Sequence, residues 1–299
     1  MGYCDGLVCV KAYCNDDSLI FLWNPSTRDS RKLPYTPGVL RNHHFSCYGF
    51  GYDYNSDDYK VLIVVPPLDC YRDSSCKSMM YTLKTDTWRR IQDFPSDTRC
   101  LVWGHNPDRS ATLVNGALHW MVKQTCNYLW VIISLNLTTE TYIEVAKPDY
   151  YGVDQSSGIG IGVSNRDCLC LLVYNRAGGN YEFWVMKEYG VRESWTISAK
   201  ISNRVEGGVY VLGLRPSTWF SENGKILFRP LAARELAIYN ANNNSVTSLH
   251  QIPDDYSTAH GDVFVESLVS PYAYSNHRAN DTNRLKINIG RMNRVVRNV

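Results

Sequence analysis

The stretch Glu182–Ser198, EFWVMKEYGVRESWTIS, decides how the rest of the chain is read. An apolar run, Phe183–Met186, meets a polar, Gly-containing segment, Lys187–Glu193, and then Ser194-Trp195-Thr196-Ile197. Aromatic and β-branched residues on both sides of a polar break predict two antiparallel strands joined by a turn. A helix through Glu182–Tyr189 competes with this reading; recurrence of the pattern decides against it. Phe21–Thr27 leads to Arg31-Lys32-Leu33-Pro34, Tyr81–Thr87 to Trp88-Arg89-Arg90-Ile91, Ile133–Thr139 to Tyr142–Val145, and Ala237–Ala241 to Val246–Leu249. The matching positions Asn24, Lys84, Asn136, Lys187 and Asn240 are spaced by 60, 52, 51 and 53 residues. A hairpin returning at that period, in a chain with no strong amphipathic helix, predicts repeated small sheets, as in a propeller.

Outward from each hairpin, the preceding residues read as two more strands. Tyr48–Tyr52 and Tyr59–Val65 flank a polar turn, and Ala111–Val114 and Ala117–Val122 flank Asn115-Gly116, a two-residue hairpin signal. Ile159–Val163 pairs with Cys168–Tyr174, and Ser217–Phe220 with Lys225–Arg229. The first unit shows only Gly6–Val10 before its hairpin, and Asp262–Val269 is left over at the other end. The expected fold is therefore all-β: a β-propeller of about five four-stranded blades, closed by pairing of the C-terminal strand with the N-terminal blade. Val263, Val265 and Leu268 should then lie beside Leu7-Val8-Cys9-Val10. A sixth blade would have to come from the connections Asp93–Arg109 or Ser202–Pro216. Large aromatics opening the last strand of a unit, Trp88 and Trp195 with Tyr142 in the comparable place, are expected to pack between neighbouring blades.

Apolar content of 44% and charged content of 20% are globular values. The abundant tyrosines, 21 in all, suit strands whose rings pack while the hydroxyls stay wet. One domain is expected over residues 1–272, followed by a basic, disordered tail over 273–299. From His277 onward there are six basic residues and one acid, so the net charge of +2 leaves a near-neutral body, which argues against nucleic-acid binding by the folded part. No apolar run approaches membrane-spanning length, and the start has no secretory pattern. Reduced thiols and a cytoplasmic or nuclear setting follow, with the ten cysteines scattered and without zinc spacing.

No metalloprotease motif, phosphate-binding loop or nucleophile elbow occurs. Gly158-Ile159-Gly160-Ile161-Gly162 lacks the third-glycine spacing of a dinucleotide loop and reads as a Gly-rich strand. His43-His44 are adjacent, so in a strand they point to opposite faces and make poor joint metal ligands. Neither catalytic nor metal residues nor a cofactor are expected. Strand alternation puts the turns between strands one and two, and three and four, at one end of each blade, and the long connections at the other. Those connections carry Tyr71, Arg72, Trp103, His105, Tyr150, Tyr151 and Tyr256, residue types favoured in binding hot spots on loops held by a rigid scaffold.

An ordered series resembles one family: Gly6-Leu7-Val8-Cys9, Leu22-Trp23-Asn24-Pro25-Ser26-Thr27-Arg28, Leu33-Pro34, Tyr48-Gly49-Phe50-Gly51-Tyr52-Asp53 with Asp58-Tyr59-Lys60-Val61, Val114-Asn115-Gly116-Ala117-Leu118-His119-Trp120, Trp184–Val191 with Glu193-Ser194-Trp195, and Glu266-Ser267-Leu268-Val269. It is similar to the F-box-associated domain of plant F-box/kelch-type proteins, including the S-locus F-box group, over about residues 4–270. The resemblance implies a protein-binding, substrate-recruiting subunit of a cullin-RING ubiquitin ligase. In that family an F-box precedes the motif matched by Gly6–Val10 and docks on a Skp-type adaptor. Only Met1–Asp5 stand before it here, so the resemblance covers the substrate-binding half, and adaptor and cullin are expected partners only of a longer form that carries an F-box.

Overall fold

The computed structural model describes residues 2–14, 17–37, 47–65, 76–95, 98–99, 110–124, 127, 129–148, 159–164, 167–175, 177–202, 219–220, 225–228, 235–240, 242–243, 245–251 and 266–272. Five antiparallel sheets follow one another along the chain, each with its four strands ordered as the chain makes them. Blade 1 is β1 (Gly2–Cys4), β2 (Leu7–Cys14), β3 (Asp17–Trp23) and β4 (Ser30–Lys32). Blade 2 is β5 (Cys47–Asp53), β6 (Asp58–Val65), β7 (Lys77–Thr82) and β8 (Thr87–Arg90). A two-residue strand, β9 (Thr98–Arg99), pairs with the second strand of blade 3, which comprises β10 (Thr112–Val114), β11 (Ala117–Gln124), β12 (Trp130–Asn136) and β13 (Tyr142–Val145). Blade 4 is β14 (Ile159–Val163), β15 (Leu169–Asn175), β16 (Asn180–Met186) and β17 (Trp195–Ser202), and blade 5 is β18 (Trp219–Phe220), β19 (Lys225–Phe228), β20 (Glu235–Asn240) and β21 (Ser245–Gln251). This is the five-bladed, four-stranded β-propeller class that the repeat predicts. The stretch 93–109 supplies β9 and no sixth blade among the described residues.

The opening stretch is a hairpin as read. Met186 pairs with Trp195, and a single turn of 3-10 helix, Arg192–Ser194, completes the connection. By contacts the chain forms two compact units. One is Met1–Tyr128, Ile133–Glu144 and Phe264–Asn288; the other is Leu129–Ile132, Val145–Val263 and Ile289–Val299.

Two expectations at the chain ends change. Blade 1 has its own first strand: β1 pairs with β2 through Gly2↔Cys9, Tyr3↔Val8 and Cys4↔Leu7. The turn between them is Asp5-Gly6 with φ of 48° and 82°, the double positive φ of a tight hairpin turn. Three residues are too few to show a strand period, so only the turn dipeptide could have revealed it. Residues 266–270 form no strand, and Leu268 is 86% exposed, so it does not lie in the sheet with Leu7–Val10. Val263 and Val265 lie outside the described residues. The C-terminal segment nevertheless meets blade 1. The buried Asn24 side chain donates from Nδ2 to the carbonyls of Ser267 at 3.0 Å and Val269 at 2.7 Å. Ser267 Oγ donates to Asp5 O at 2.6 Å, and Tyr272 OH to Ser30 O at 2.8 Å. Closure here runs through side chains gripping a backbone.

The first unit shows how blades stack. β6 is buried at every position, as a strand covered on both faces should be. On β5, Gly49 and Gly51 leave no room for a side chain: a Cβ there would stand 2.7 Å from Leu118 Cδ1 and 2.7 Å from Leu113 Cδ1, respectively. The Gly-x-Gly of this strand is thus the seat of blade 3 on blade 2. The expected aromatics behave alike. Trp88 and Trp195 are buried, and each indole N–H donates to a carbonyl just beyond the preceding blade, Pro34 O at 2.8 Å and Ala146 O at 2.9 Å. Tyr142, also buried, instead bonds Ser78 Oγ at 2.7 Å.

Candidate binding face

The strand order puts the first and third connections of a blade at one end, and the second connection with the crossing to the next blade at the other; the second connection is short in blade 1, between Cys14 and Asp17, and in blade 4, between Asn175 and Asn180, so at those blades the length of that end comes from the crossings. All seven sequence-predicted contact residues, Tyr71, Arg72, Trp103, His105, Tyr150, Tyr151 and Tyr256, lie outside the described residues, as do His43 and His44. The structure describes the short-turn end closely, together with the strand ends from which the long connections leave.

At the short-turn end three of the five repeat positions share one device. Asn24 Oδ1 accepts from the backbone N–H groups of Ser26 at 2.8 Å and Thr27 at 3.2 Å, and Asn136 Oδ1 from Thr138 and Thr139, both at 2.9 Å. Asn240 Oδ1 accepts from Asn242 N at 3.0 Å. An Asn side chain that mimics a backbone turn fixes the connection locally. Where Lys84 replaces Asn, its backbone N–H goes to Asp58 Oδ1 at 3.0 Å instead.

In the first unit these turns are laced together by charge. Lys60, only 5% exposed, donates to Leu137 O at 2.6 Å and pairs with Asp53 at 2.9 Å and Glu140 at 3.0 Å. Arg89 from β8 joins Glu140, and Arg31 from β4 pairs with Asp86 at 2.8 Å, so an arginine on an outer strand reaches an acid in the next blade's turn twice over. Burial works against the Asp53 carboxylate, but bonds from Ser56, Thr138, Lys60 and Asn55 N–H outweigh it and hold its pKa well below the carboxylate range. Burial likewise opposes ionisation of Glu140, and Arg89 and Lys60 reverse that. Charges committed to one another across blades are a brace between blades.

One imidazole and several thiols are sealed into the sheets. His119, with no exposed surface, has its pKa pushed down to about 4 by burial, against the pull of the Thr112 carbonyl 3.2 Å from Nδ1. Burial pushes the Cys9 and Cys170 thiols up to about 12. At neutral pH this leaves a neutral imidazole and inert, protonated thiols. Cys170 packs in the apolar cluster of blades 4 and 5. Cys47 is disulfide-bonded, which departs from the expectation of reduced thiols throughout, whereas Cys4, Cys9, Cys76, Cys168 and Cys170 are free. Among the described residues no group of three His, Cys, Asp or Glu side chains could hold a metal ion, and no helix is long and apolar enough to cross a membrane.

Comparison with known proteins supplies the family. A model of the F-box associated beta propeller domain matches residues 1–271. The chain is 28% identical over 275 residues to the F-box/kelch-repeat protein At3g23880 of Arabidopsis thaliana, covering 91% of this chain and 68% of that protein. It is 28% identical over 250 residues to the F-box protein At3g07870 of the same plant, covering 76% of this chain and 57% of the relative. Among solved structures, TolB from Acinetobacter baumannii aligns with a TM-score of 0.48 at 10% identity, over 82% of this chain and 53% of TolB.

Proposed function

The chain belongs to the F-box-associated β-propeller family, and on that premise we propose that it is the substrate-recognition module of an SCF-type cullin-RING ubiquitin ligase. Its work is to bind a protein, and it carries out no chemistry itself. The observation that carries this reading is the family match across all five blades, together with relatives that are F-box proteins by name. The chain spans 68% and 57% of those two relatives, so the ligase role concerns a longer protein than the propeller alone. In that longer form an F-box docks on the Skp-type adaptor and the propeller presents the substrate, in the cytoplasm or nucleus. The buried, protonated thiols of Cys9 and Cys170 and a neutral, buried His119 agree with a scaffold that binds.

Substrate is proposed to meet the long-connection end, through Tyr71, Arg72, Trp103, His105, Tyr150, Tyr151 and Tyr256. Loops held by a rigid scaffold tolerate the variation that partner choice needs. The internally paired charges of the short-turn end offer a partner less. To test this, the propeller is expressed with and without a preceding F-box and bound proteins are recovered. The F-box form should recover both the Skp-type adaptor and a substrate, and the propeller alone the substrate only. The double change Tyr150→Ala, Tyr151→Ala should lose the substrate and keep the adaptor. A substrate lost only when charge is introduced in the short turn at 242–244, with all variants folded, would put the site at the opposite end. Recovery of no protein whose ubiquitylation depends on the F-box form would remove the ligase reading.

A further inference from the structure

Blade 4 buries a carboxylate with half of its bonding unmet. Glu182 lies on the central strand β16, between Val173 of β15 and Lys200 of β17 in register. Its neighbours Tyr181 and Phe183 point into the apolar cluster, so Glu182 faces the other way, and Asn180, two residues earlier, shares its face. Glu182 is 2% exposed. Both of its partners converge on one oxygen: Asn175 Nδ2 donates to Oε1 at 3.0 Å, and Lys200 Nζ stands 3.5 Å from the same atom. Oε2 has no hydrogen-bond partner among the described residues, and neither has Asn180 Oδ1.

From this arrangement we propose a socket for an arginine side chain of the protein partner, built on Glu182 and Asn180 at the long-connection end of blade 4. The proposal rests on reading the chain as a protein-binding module. A buried acceptor left unpaired bears its desolvation cost with nothing in return, and such groups persist where something else completes them. Lys200 completes Glu182 poorly. Charge-assisted N–H···O bonds run to about 2.7–2.9 Å, so 3.5 Å is long, and a lysine is a point charge that serves one oxygen. Its side chain is 59% exposed and is free to swing outward. A guanidinium presents a planar fork of donors that serves both carboxylate oxygens and has N–H groups left for a neighbouring amide oxygen. The socket is also held ready, because Asn175 Oδ1 accepts from Gly178 N at 2.9 Å, which fixes that amide with Nδ2 toward Glu182. Asn180 pairs with Ser202, where β17 ends, and Ile159, where β14 begins, pairs with Val173, so the cluster sits at the end of the sheet that the connections to the neighbouring blades leave, beside the four-residue connection 176–179. Lys200 holds the place that the partner's arginine takes.

The test uses the full chain and arginine amide as probe, followed by amide chemical shifts or thermal shift. Arginine amide should bind saturably, more tightly than lysine amide, and Lys200→Ala should tighten it. Glu182→Gln should weaken it by about tenfold or more, the loss expected for a charge-assisted bond. Equal binding of the lysine and arginine amides overturns the proposal. So does an effect matched by potassium chloride at equal ionic strength, which would mark a water or small-cation site. The Lys200→Ala comparison stands even where Glu182→Gln does not fold, since it leaves the carboxylate in place. Failure of the probe leaves the protein-binding reading intact, and failure to recover any substrate leaves the socket measurable.

Discussion

Lys60 of blade 2 donates to the main-chain carbonyl of Leu137 in blade 3 at 2.6 Å, from a strand in which every residue is buried. The same ammonium neutralises Asp53 and Glu140. Removing it leaves two carboxylates without their shared cation, so Lys60→Met should cost about 3–5 kcal/mol in urea unfolding. The triple change that adds Asp53→Asn and Glu140→Gln should recover most of that loss, since no buried charge then remains unpaired. A triple variant no more stable than Lys60→Met would show that packing around the lysine stem matters more than the charges.

His119 gives stability a pH dependence separable from that of the carboxylates. Its folded pKa of about 4 lies below the ordinary 6.5, so the unfolded chain binds the proton first as pH falls. The stability it contributes is complete above about pH 6.5 and is lost as pH falls toward 4, amounting to about 3 kcal/mol at the end of that window. Asp53 acts later: its pKa is depressed from 3.8, so its contribution is present above that value and is lost only below it. Urea midpoints measured for wild type and His119→Gln should diverge in slope between those two pH values and run parallel below them. Parallel curves throughout would mean that the imidazole is not held neutral.

Trp195 carries both area and a bond to the connection that follows β13. Trp195→Ala should cost about 3–5 kcal/mol for the cavity it leaves. Trp195→Phe keeps most of the ring but strands Ala146 O, and should cost about 1–2 kcal/mol. Trp88→Phe should behave the same way through Pro34 O, because the geometry is shared. A fully stable Trp195→Ala protein that had lost its partner would instead make this residue part of the binding surface.

What could be read from the sequence tracks how local the cause is. The hairpins at Asn24, Asn136 and Asn240 were legible because each Asn organises its own turn within three residues. Trp88 and Trp195 were legible by recurrence. Lys60 was not, because its partners Asp53 and Glu140 are brought together only by stacking one blade on another. Glu182 stands just before the apolar run Phe183–Met186, and nothing local tells a half-satisfied carboxylate from a solvated one. β1 hid behind its brevity, although Asp5-Gly6 announced the turn. The expected pairing failed at Leu268 for a related reason: apolar alternation over Val263–Val269 looks like a strand, but residues 266–270, the part of it that is described, are held by side chains and form no strand.

That grip yields the last prediction. Asn24 uses its whole amide, with Oδ1 holding its own turn and Nδ2 holding the carbonyls of Ser267 and Val269, and the side chain has no exposed surface. Asn24→Asp keeps the turn-forming oxygen but replaces two donors with an acceptor that faces two carbonyls, at a cost of about 2–4 kcal/mol. Gly6→Ala attacks the same contact from the other side: a Cβ there would stand 2.0 Å from Ser267 Oγ, on a backbone already at φ 82°. Both changes should lower the melting temperature and speed hydrogen exchange at 267–272 ahead of the rest of blade 1. Deleting the chain from Asp262 onward should destabilise at least as much as either substitution, whereas deletion from Ser275 should change little, since Tyr272 makes the last described contact with blade 1. Equal melting temperatures for the two truncations would mean that blade 1 is complete without the segment, and that Asn24 matters only to its own turn.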